Sequence, residues 1–125
     1  MFMTFLSVAL GGAIGASLRF GAGLWAARMI SPSFPVAVMS VNVIGSFLMG
    51  AFAVWSIERG YSALNPFVMT GILGGFTTFS AFSLEVLTLI ERGQILSALL
   101  YVALSVGLSI GALALGLWLM RGALA

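Results

Sequence analysis

Long apolar stretches, separated by short groups of charged and turn-forming residues, make up nearly the whole chain. A helix crosses the hydrocarbon core of a bilayer, roughly 30 Å thick, with about 20 mostly apolar residues. Four stretches reach that length: about 3–27, about 36–57, one from near Asn65 to Glu91, and about 95–120. The pattern predicts an all-α membrane protein in which residues 1–125 form a single domain of four transmembrane helices.

Turn residues and tryptophans mark the ends of these stretches. Pro32 and Pro35 lie in the first loop, where two prolines so close together cannot continue a helix. Pro66 suits the first position of the third helix, which needs no backbone N–H donor. Tryptophans lie near three of the ends, at the depth where indole rings meet lipid headgroups: Trp25, Trp55 and Trp118. These features support four spans joined by short loops, with both termini on one side.

The composition changes this picture only by excluding other classes of protein. Apolar residues make up 62% of the chain and charged residues 6%, whereas soluble domains carry about 25% charged residues. A net charge of +2 without any lysine does not suit nucleic-acid binding. The chain has no cysteine and no histidine, so disulfides, thiolate or imidazole metal sites and catalysis by either residue are excluded. We expect an integral membrane protein that is not an enzyme.

The arginines outside the spans do not favour one orientation in the membrane. Arg59 and Arg121 lie on the side of the termini, and Arg28 and Arg92 lie on the opposite side. Positively charged loops normally stay in the cytoplasm, so two against two leaves almost no preference. Under one interpretation, the charge signal for orientation is weak and another feature of the chain decides the orientation. Under the other, the chain inserts in both orientations and pairs with its inverted copy.

Polar residues recur at helical spacing within the fourth span. Tyr101, Ser105 and Ser109 are four residues apart, which places them on one narrow face of a helix. Gly107 and Gly111 lie on roughly the opposite face and suit close helix packing. The hydroxyls either bond back to carbonyls of their own helix or form a polar path.

The second span repeats this spacing with Asn42, Ser46 and Gly50. The amide of Asn42 offers two donors to an anion, although buried asparagine in membranes also joins helices. In the first span, Arg19 follows by one helical turn a face predicted to pack closely, which consists of Gly11, Gly12 and Gly15. Arg19 anchors an anion, lines an aqueous entrance, or extends along its helix toward the membrane surface.

The third span contains the most unusual segment, between Gly71 and Glu85. The pair Gly74-Gly75 predicts a break in mid-span, and hydroxyl side chains follow it closely: Thr77, Thr78, Ser80 and Ser83. Broken helices are tolerated in membranes where their backbone lines a cavity or binds an ion. The start of a half-helix favours anions, while freed carbonyls suit a hard cation such as sodium.

Phenylalanines recur every third residue through this segment, at Phe76, Phe79 and Phe82. A phenyl ring has a positive edge, so rings turned edge-on can line a route for a small anion, although such a stripe also serves packing. Glu85 lies about two turns before the end of the span. An intramembrane carboxylate indicates function, or else a position within reach of water.

The sequence of residues 74–83, Gly-Gly-Phe-Thr-Thr-Phe-Ser-Ala-Phe-Ser, resembles the signature of the small fluoride channels, the Fluc or CrcB family. The first-span segment 11–19, the Val41-Asn42 region of the second span and the stripe that starts at Tyr101 also resemble that family. The likeness covers essentially the whole chain.

The resemblance implies an antiparallel, dual-topology homodimer with two fluoride pores, in the inner membrane of a prokaryotic cell. The ion pathway would include Asn42, Phe79, Phe82, Ser80, Ser83, Tyr101, Ser105 and Ser109, with Arg19 as the arginine of the entrance and Glu85 as the third-span carboxylate. Backbone carbonyls of Gly74 and Thr77 would hold a structural sodium ion where the two third-span breaks cross. The partners of the protein would be fluoride, sodium, the lipid bilayer and an inverted copy of the same chain, and they would include no nucleic acid.

Two positions depart from the family pattern. Ala81 stands where the family often has threonine or serine, and Val38 stands where some members carry threonine. A hydroxyl beside the pathway is therefore missing at Ala81. The remaining donors are neutral, which suits conduction because fluoride must exchange its water shell without being held too tightly.

A proton-coupled small multidrug exporter is the alternative, because it also has four short spans and frequent dual topology. Exporters of that class work through a glutamate in the first span. Here the first span has Arg19 and no carboxylate, and Glu85 would have to couple the protons. A fluoride channel is the function that the sequence favours.

Overall fold

Four helical spans build the protein in a computed structural model, which describes residues 1–29 and 34–125. They are α1 (Phe2–Met29), α2 (Val36–Glu58), an interrupted third span within Ser62–Glu91, and α5 (Ile95–Leu124). All four are long and apolar enough to cross a membrane, as the hydrophobic pattern predicts. Of the first loop's two prolines, Pro32 lies outside the described residues.

The third span contains four helical segments rather than one helix. A 3₁₀ turn (Ser62–Leu64) leads into a π-helix (Pro66–Leu73), which is followed by the short turn α3 (Gly74–Phe76) and by α4 (Phe79–Glu91). Pro66 is the first residue of the π-helix, in agreement with its predicted position at a helix start. The π-helix itself was not predicted, because apolar periodicity does not distinguish it from an α-helix.

The break lies at Thr77 and Thr78 rather than at the predicted Gly74-Gly75. Gly74 has helical dihedral angles, φ −63° and ψ −36°, whereas Thr77 (φ −87°, ψ 157°) and Thr78 (φ −152°, ψ 122°) are extended. Gly75 serves close packing instead, because a Cβ on it would lie 2.8 Å from the carbonyl oxygen of Gly12 in α1, whereas Gly74 is exposed. The position of the break is therefore set by the threonines that follow the glycines.

Glycines bring the helices together in two pairs. α1 packs along the π-helix and α3, and α2 packs along α5. A Cβ on Gly15 would overlap the Ile72 carbonyl oxygen, and a Cβ on Gly50 would overlap the carbonyl oxygen of Leu113. Backbones approach this closely only where side chains are absent. The close-packing face predicted for the first span is confirmed at Gly11 and Gly15, whereas a Cβ on Gly12 would meet no atom within 4 Å among the described residues.

Gly107 and Gly111 do not take part in this packing. A Cβ on either glycine would meet no atom within 4 Å among the described residues, and α5 instead packs on α2 through Gly116. The close packing predicted for Gly107 and Gly111 is therefore not found in a single chain. The Gly107 face stays open in a single chain.

The interior is small and the outer surface is apolar. Phe82, Leu89, Ala98 and Tyr101 form a buried cluster between α4 and α5, and the Tyr101 side chain has no exposed area. Large apolar side chains elsewhere face outward, as expected for a protein whose solvent is lipid.

Candidate functional site

The break in the third span is held by a side chain from α2. Asn42 donates its Nδ2–H to the Thr78 carbonyl oxygen at 3.0 Å, and its Oδ1 accepts the Thr78 backbone N–H at 2.7 Å. One amide thus satisfies both backbone groups of an extended residue inside the membrane, where an unsatisfied group costs several kcal/mol. Asn42 joins helices, one of its two predicted roles, and it does so at the break itself.

Arg19 of α1 reaches the same segment from the other side. Its Nε–H donates to the Gly75 carbonyl oxygen at 3.2 Å. The side chain therefore points into the bundle at the break instead of extending along α1 toward the membrane surface. The arginine also borders a cavity of about 250 Å³ between α1 and α2. The other residues that line this cavity are Gly23 and apolar residues, among them Phe20 and Val41.

The threonine side chains replace helical hydrogen bonds around the break. Thr77 donates its Oγ1–H to the Leu73 carbonyl at 3.0 Å, and Thr78 Oγ1 accepts the Ala81 N–H at 3.2 Å. Thr78 thereby caps the start of α4. Sequence reasoning did not single out Thr78 as a site residue, although a threonine three residues before a helical N–H is a capping signal.

Several backbone carbonyls around the break lose their helical donors as a consequence, among them those of Gly74 and Thr77. In an uninterrupted α-helix, the Gly74 carbonyl would accept the Thr78 N–H and the Thr77 carbonyl would accept the Ala81 N–H. Those two N–H groups donate to Asn42 Oδ1 and Thr78 Oγ1 instead. The carbonyls released in this way belong to the two residues predicted to hold sodium.

An open cleft of about 380 Å³ lies between α2, the break and α5. Five of the predicted pathway residues line it together: Asn42, Phe79, Phe82, Ser105 and Ser109. Ser46 of α2, one helical turn from Asn42 in the pattern predicted for the second span, lines it as well. Met49 also lines it, and sequence reasoning did not select Met49, although it lies two turns from Asn42 on the same face.

Ser105 has an orphaned hydroxyl at this cleft. Its side chain is 5% exposed, and its Oγ has no hydrogen-bond partner among the described residues. A buried hydroxyl without a partner is costly, so a ligand or water that reaches it is favoured. Of the three residues in the fourth-span stripe, Ser105 has the clearest free donor.

The two phenylalanines of the cleft differ in their surroundings. The Phe82 ring is 9% exposed and packs at 5.3 Å on Tyr101, whereas the Phe79 ring is 77% exposed. Their ring centroids are 5.5 Å apart, with the ring planes tilted by 53°. Phe82 is fixed by the core of one chain, and Phe79 has no such support in a single chain.

Tyr101 and Glu85 form a pair behind Phe82. The Tyr101 hydroxyl donates to Glu85 Oε2 at 2.8 Å, and Phe34 packs edge-on against the Tyr101 ring with centroids 5.5 Å apart. Neither Tyr101 nor Glu85 lines the cleft. Because Phe82 contacts Tyr101, this polar pair lies next to the cleft residues without being part of them.

The remaining predicted residues have local partners. Ser83 donates to the Phe79 carbonyl at 3.0 Å, which is the bond back to its own helix, and Ser80 Oγ lies 3.3 Å from Thr78 Oγ1. Ala81, at one departure from the family pattern, contributes its backbone N–H, which donates to Thr78 Oγ1. Val38, at the other departure from the family pattern, packs against the Phe82–Tyr101 cluster.

A four-span helical bundle with a broken span beside a cleft that contains several hydroxyl and amide side chains is the architecture of a membrane transport protein. Residues 6–117 match the family model described as "CrcB-like protein, Camphor Resistance (CrcB)". The chain therefore belongs to the CrcB family.

Curated relatives are similar to this chain over nearly its whole length. A protein of Roseobacter denitrificans, named fluoride-specific ion channel FluC, is 62% identical over 117 residues, which cover 92% of this chain and 93% of the relative. A protein of Ruegeria sp. with the same name is 59% identical over 125 residues, covering 99% of each chain. A third, from Rhizobium etli, is 50% identical over 124 residues.

Proposed function

We propose that this protein is a fluoride-selective channel that lets fluoride leave the cell passively, down its gradient, and so relieves fluoride toxicity. The observation that carries this function is the 59% identity to a fluoride-specific channel along 99% of both chains. Membership of the CrcB family agrees with it, and that family consists of channels rather than enzymes. The relatives give no support to the multidrug exporter.

The cleft has the chemistry that fluoride requires. Fluoride is small and strongly hydrated, so a pore must replace its water shell with hydrogen-bond donors. Ser105 offers a free buried hydroxyl at the cleft, Ser109 lies one turn further, and Asn42 has a second amide N–H beyond the one that Thr78 uses. The Phe79 and Phe82 rings line the same cleft, where their positive edges would face the ion.

The ion pathway that we propose extends beyond the cleft. From the cleft, fluoride would pass Phe82 toward the Tyr101–Glu85 pair. The hydroxyls of Ser80 and Ser83, just after the break, would lie at the other end of this pathway. Ser80 keeps its O–H donor when Thr78 donates in their contact, whereas Ser83 gives its single O–H to the Phe79 carbonyl and would have to break that bond to donate to fluoride. Support for this route is the continuous contact from Phe79 through Phe82 to Tyr101.

Two inverted copies would complete the site. In one chain the cleft is open, Phe79 is 77% exposed and Gly74 is exposed, so the proposed pathway lacks one wall. The tie between arginines on the two sides of the membrane allows insertion in both orientations. We infer an antiparallel homodimer with two pores, in the inner membrane of a bacterium.

A structural sodium ion at the dimer axis would use the carbonyls of Gly74 and Thr77. Both have lost their helical donors to Asn42 and Thr78, and carbonyls inside a membrane must find other partners. Two copies would supply four neutral oxygens, which suit a hard monovalent cation. No group of three or more His, Cys, Asp or Glu side chains occurs among the described residues, so side-chain ligands do not compete.

A density map of the purified assembly in sodium-containing buffer tests the dimer and the ion together. We expect two subunits of opposite orientation and a peak between the four carbonyls of Gly74 and Thr77. The same peak should weaken when sodium is replaced by N-methyl-glucamine. Parallel subunits would refute the dual topology, and an axis without density would refute the sodium site.

Fluoride efflux from liposomes tests the function itself. Vesicles that contain the purified protein should release fluoride at a rate at least 100-fold above chloride, because the pathway closed by a second copy would present hydroxyl and amide donors that suit a small anion (on the order of 3 kcal/mol of discrimination). Protein-free vesicles are the control for leakage. Chloride release as fast as fluoride release would contradict selectivity, and fluoride release no faster than leakage would contradict a channel.

A further inference from the structure

The position of Arg19 within its span requires an explanation. Arg19 lies ten residues before Met29, the end of α1, which is roughly 15 Å of helix. An arginine at such depth is expensive in a membrane unless it meets a partner. The partner in this structure is the Gly75 carbonyl oxygen, 3.2 Å from Arg19 Nε.

The packing of α1 places this arginine. Gly11, Gly15 and Arg19 lie one turn apart on a single face of α1. A Cβ on Gly11 would overlap the Phe67 carbonyl oxygen, and one on Gly15 would overlap that of Ile72, so the two backbones touch along this face. The next side chain on the same face is therefore delivered to the residues just after Ile72, where the break begins.

The Gly75 carbonyl differs from its neighbours at the break. In a continuous helix it would accept the N–H of Phe79, which here belongs to the first turn of α4 after two extended residues. Arg19 supplies a donor in its place, whereas the Gly74 and Thr77 carbonyls lie outside this bond. The Arg19 side chain thus hydrogen-bonds the Gly75 carbonyl and not the carbonyls of Gly74 and Thr77.

We propose that Arg19 is a positioning residue for the broken third span: its Nε–H donor, rather than its positive charge, fixes the Gly75 carbonyl so that the Thr77–Thr78 segment faces the cleft and the dimer axis. Asn42 holds the same break from α2 at Thr78. Arg19 and Asn42 therefore clamp the break from opposite sides, and this role rests on the proposed channel function for its effect on transport.

Three substitutions separate the donor from the charge. Glutamine carries an N–H donor at the same number of bonds from the backbone as arginine Nε, but it has no charge. Lysine keeps the charge and places a methylene there, and methionine has neither feature. If the donor matters, Arg19→Gln should retain at least about one third of wild-type fluoride flux, while Arg19→Met should fall about tenfold or more. Arg19→Lys should lie well below Arg19→Gln.

The opposite order of fluoride flux among these variants would mean that Arg19 acts through its positive charge. If Arg19 only attracts anions, Arg19→Lys should transport fluoride as the wild type does and Arg19→Gln should be as poor as Arg19→Met. That result would overturn the proposal, as would full activity of Arg19→Met. Fluoride flux is normalised to the amount of folded dimer measured by size-exclusion chromatography. If Arg19→Gln folds and Arg19→Met does not, that result also supports the donor role.

A second measurement does not depend on transport. The fraction of protein that stays folded after heating in detergent should be similar for wild type and Arg19→Gln and clearly lower for Arg19→Met. Wild-type protein without fluoride flux would refute the proposed channel and leave this comparison valid. Equal heat resistance of Arg19→Gln and Arg19→Met, with both below wild type, would refute the clamp.

Discussion

Replacing Asn42 with alanine should abolish fluoride transport and destabilise the protein. The substitution removes a donor from the Thr78 carbonyl and an acceptor from the Thr78 N–H at the same time. Two partly buried backbone groups left without partners cost about 2 kcal/mol or more in free energy of unfolding. Because those bonds hold the break, we expect fluoride flux per folded protein to fall by more than about 100-fold.

Ile44→Ala is the matched control for this experiment. Ile44 lies two residues along α2, is 51% exposed and does not line the cleft. Flux from liposomes and the midpoint of thermal unfolding in detergent should both stay close to wild type in this variant. Wild-type flux and stability in Asn42→Ala would show that the break is held by other contacts.

Replacing either cleft phenylalanine with isoleucine should reduce fluoride flux by more than about tenfold, since an aliphatic side chain has no positive edge. The two variants should differ in stability. Phe82 is 9% exposed and packs on Tyr101, so Phe82→Ile should lose about 1 kcal/mol of free energy of unfolding. Phe79 is 77% exposed in one chain, and Phe79→Ile should leave the fold of that chain unchanged.

Phe5→Ile provides the control for an exposed ring. Phe5 of α1 is 70% exposed and lies outside the cleft, so its replacement tests whether loss of any outward phenylalanine affects transport. Fluoride efflux and thermal unfolding measured on all three variants answer the question. Undiminished flux in both Phe79→Ile and Phe82→Ile would reduce these rings to a packing role.

The sequence by itself determined the number of spans and five of the pathway residues that line the cleft. Apolar length is a local property, so the four stretches predicted α1, α2, the third span and α5 without knowledge of their packing. Helical spacing likewise placed Ser105 and Ser109 on one face, and both line the cleft. The Gly11–Gly15 face was predictable because glycines one turn apart permit close approach wherever a partner lies.

Only the tertiary structure decided which backbone groups the polar side chains meet. The break lies at Thr77 and Thr78, not at the glycines before them, because Asn42 satisfies Thr78 from a different helix. Arg19 turns inward for a similar reason: its acceptor, the Gly75 carbonyl, is 56 residues away in the chain. Such pairings depend on which helices pack together, and the periodicity of one span carries no information about its neighbour.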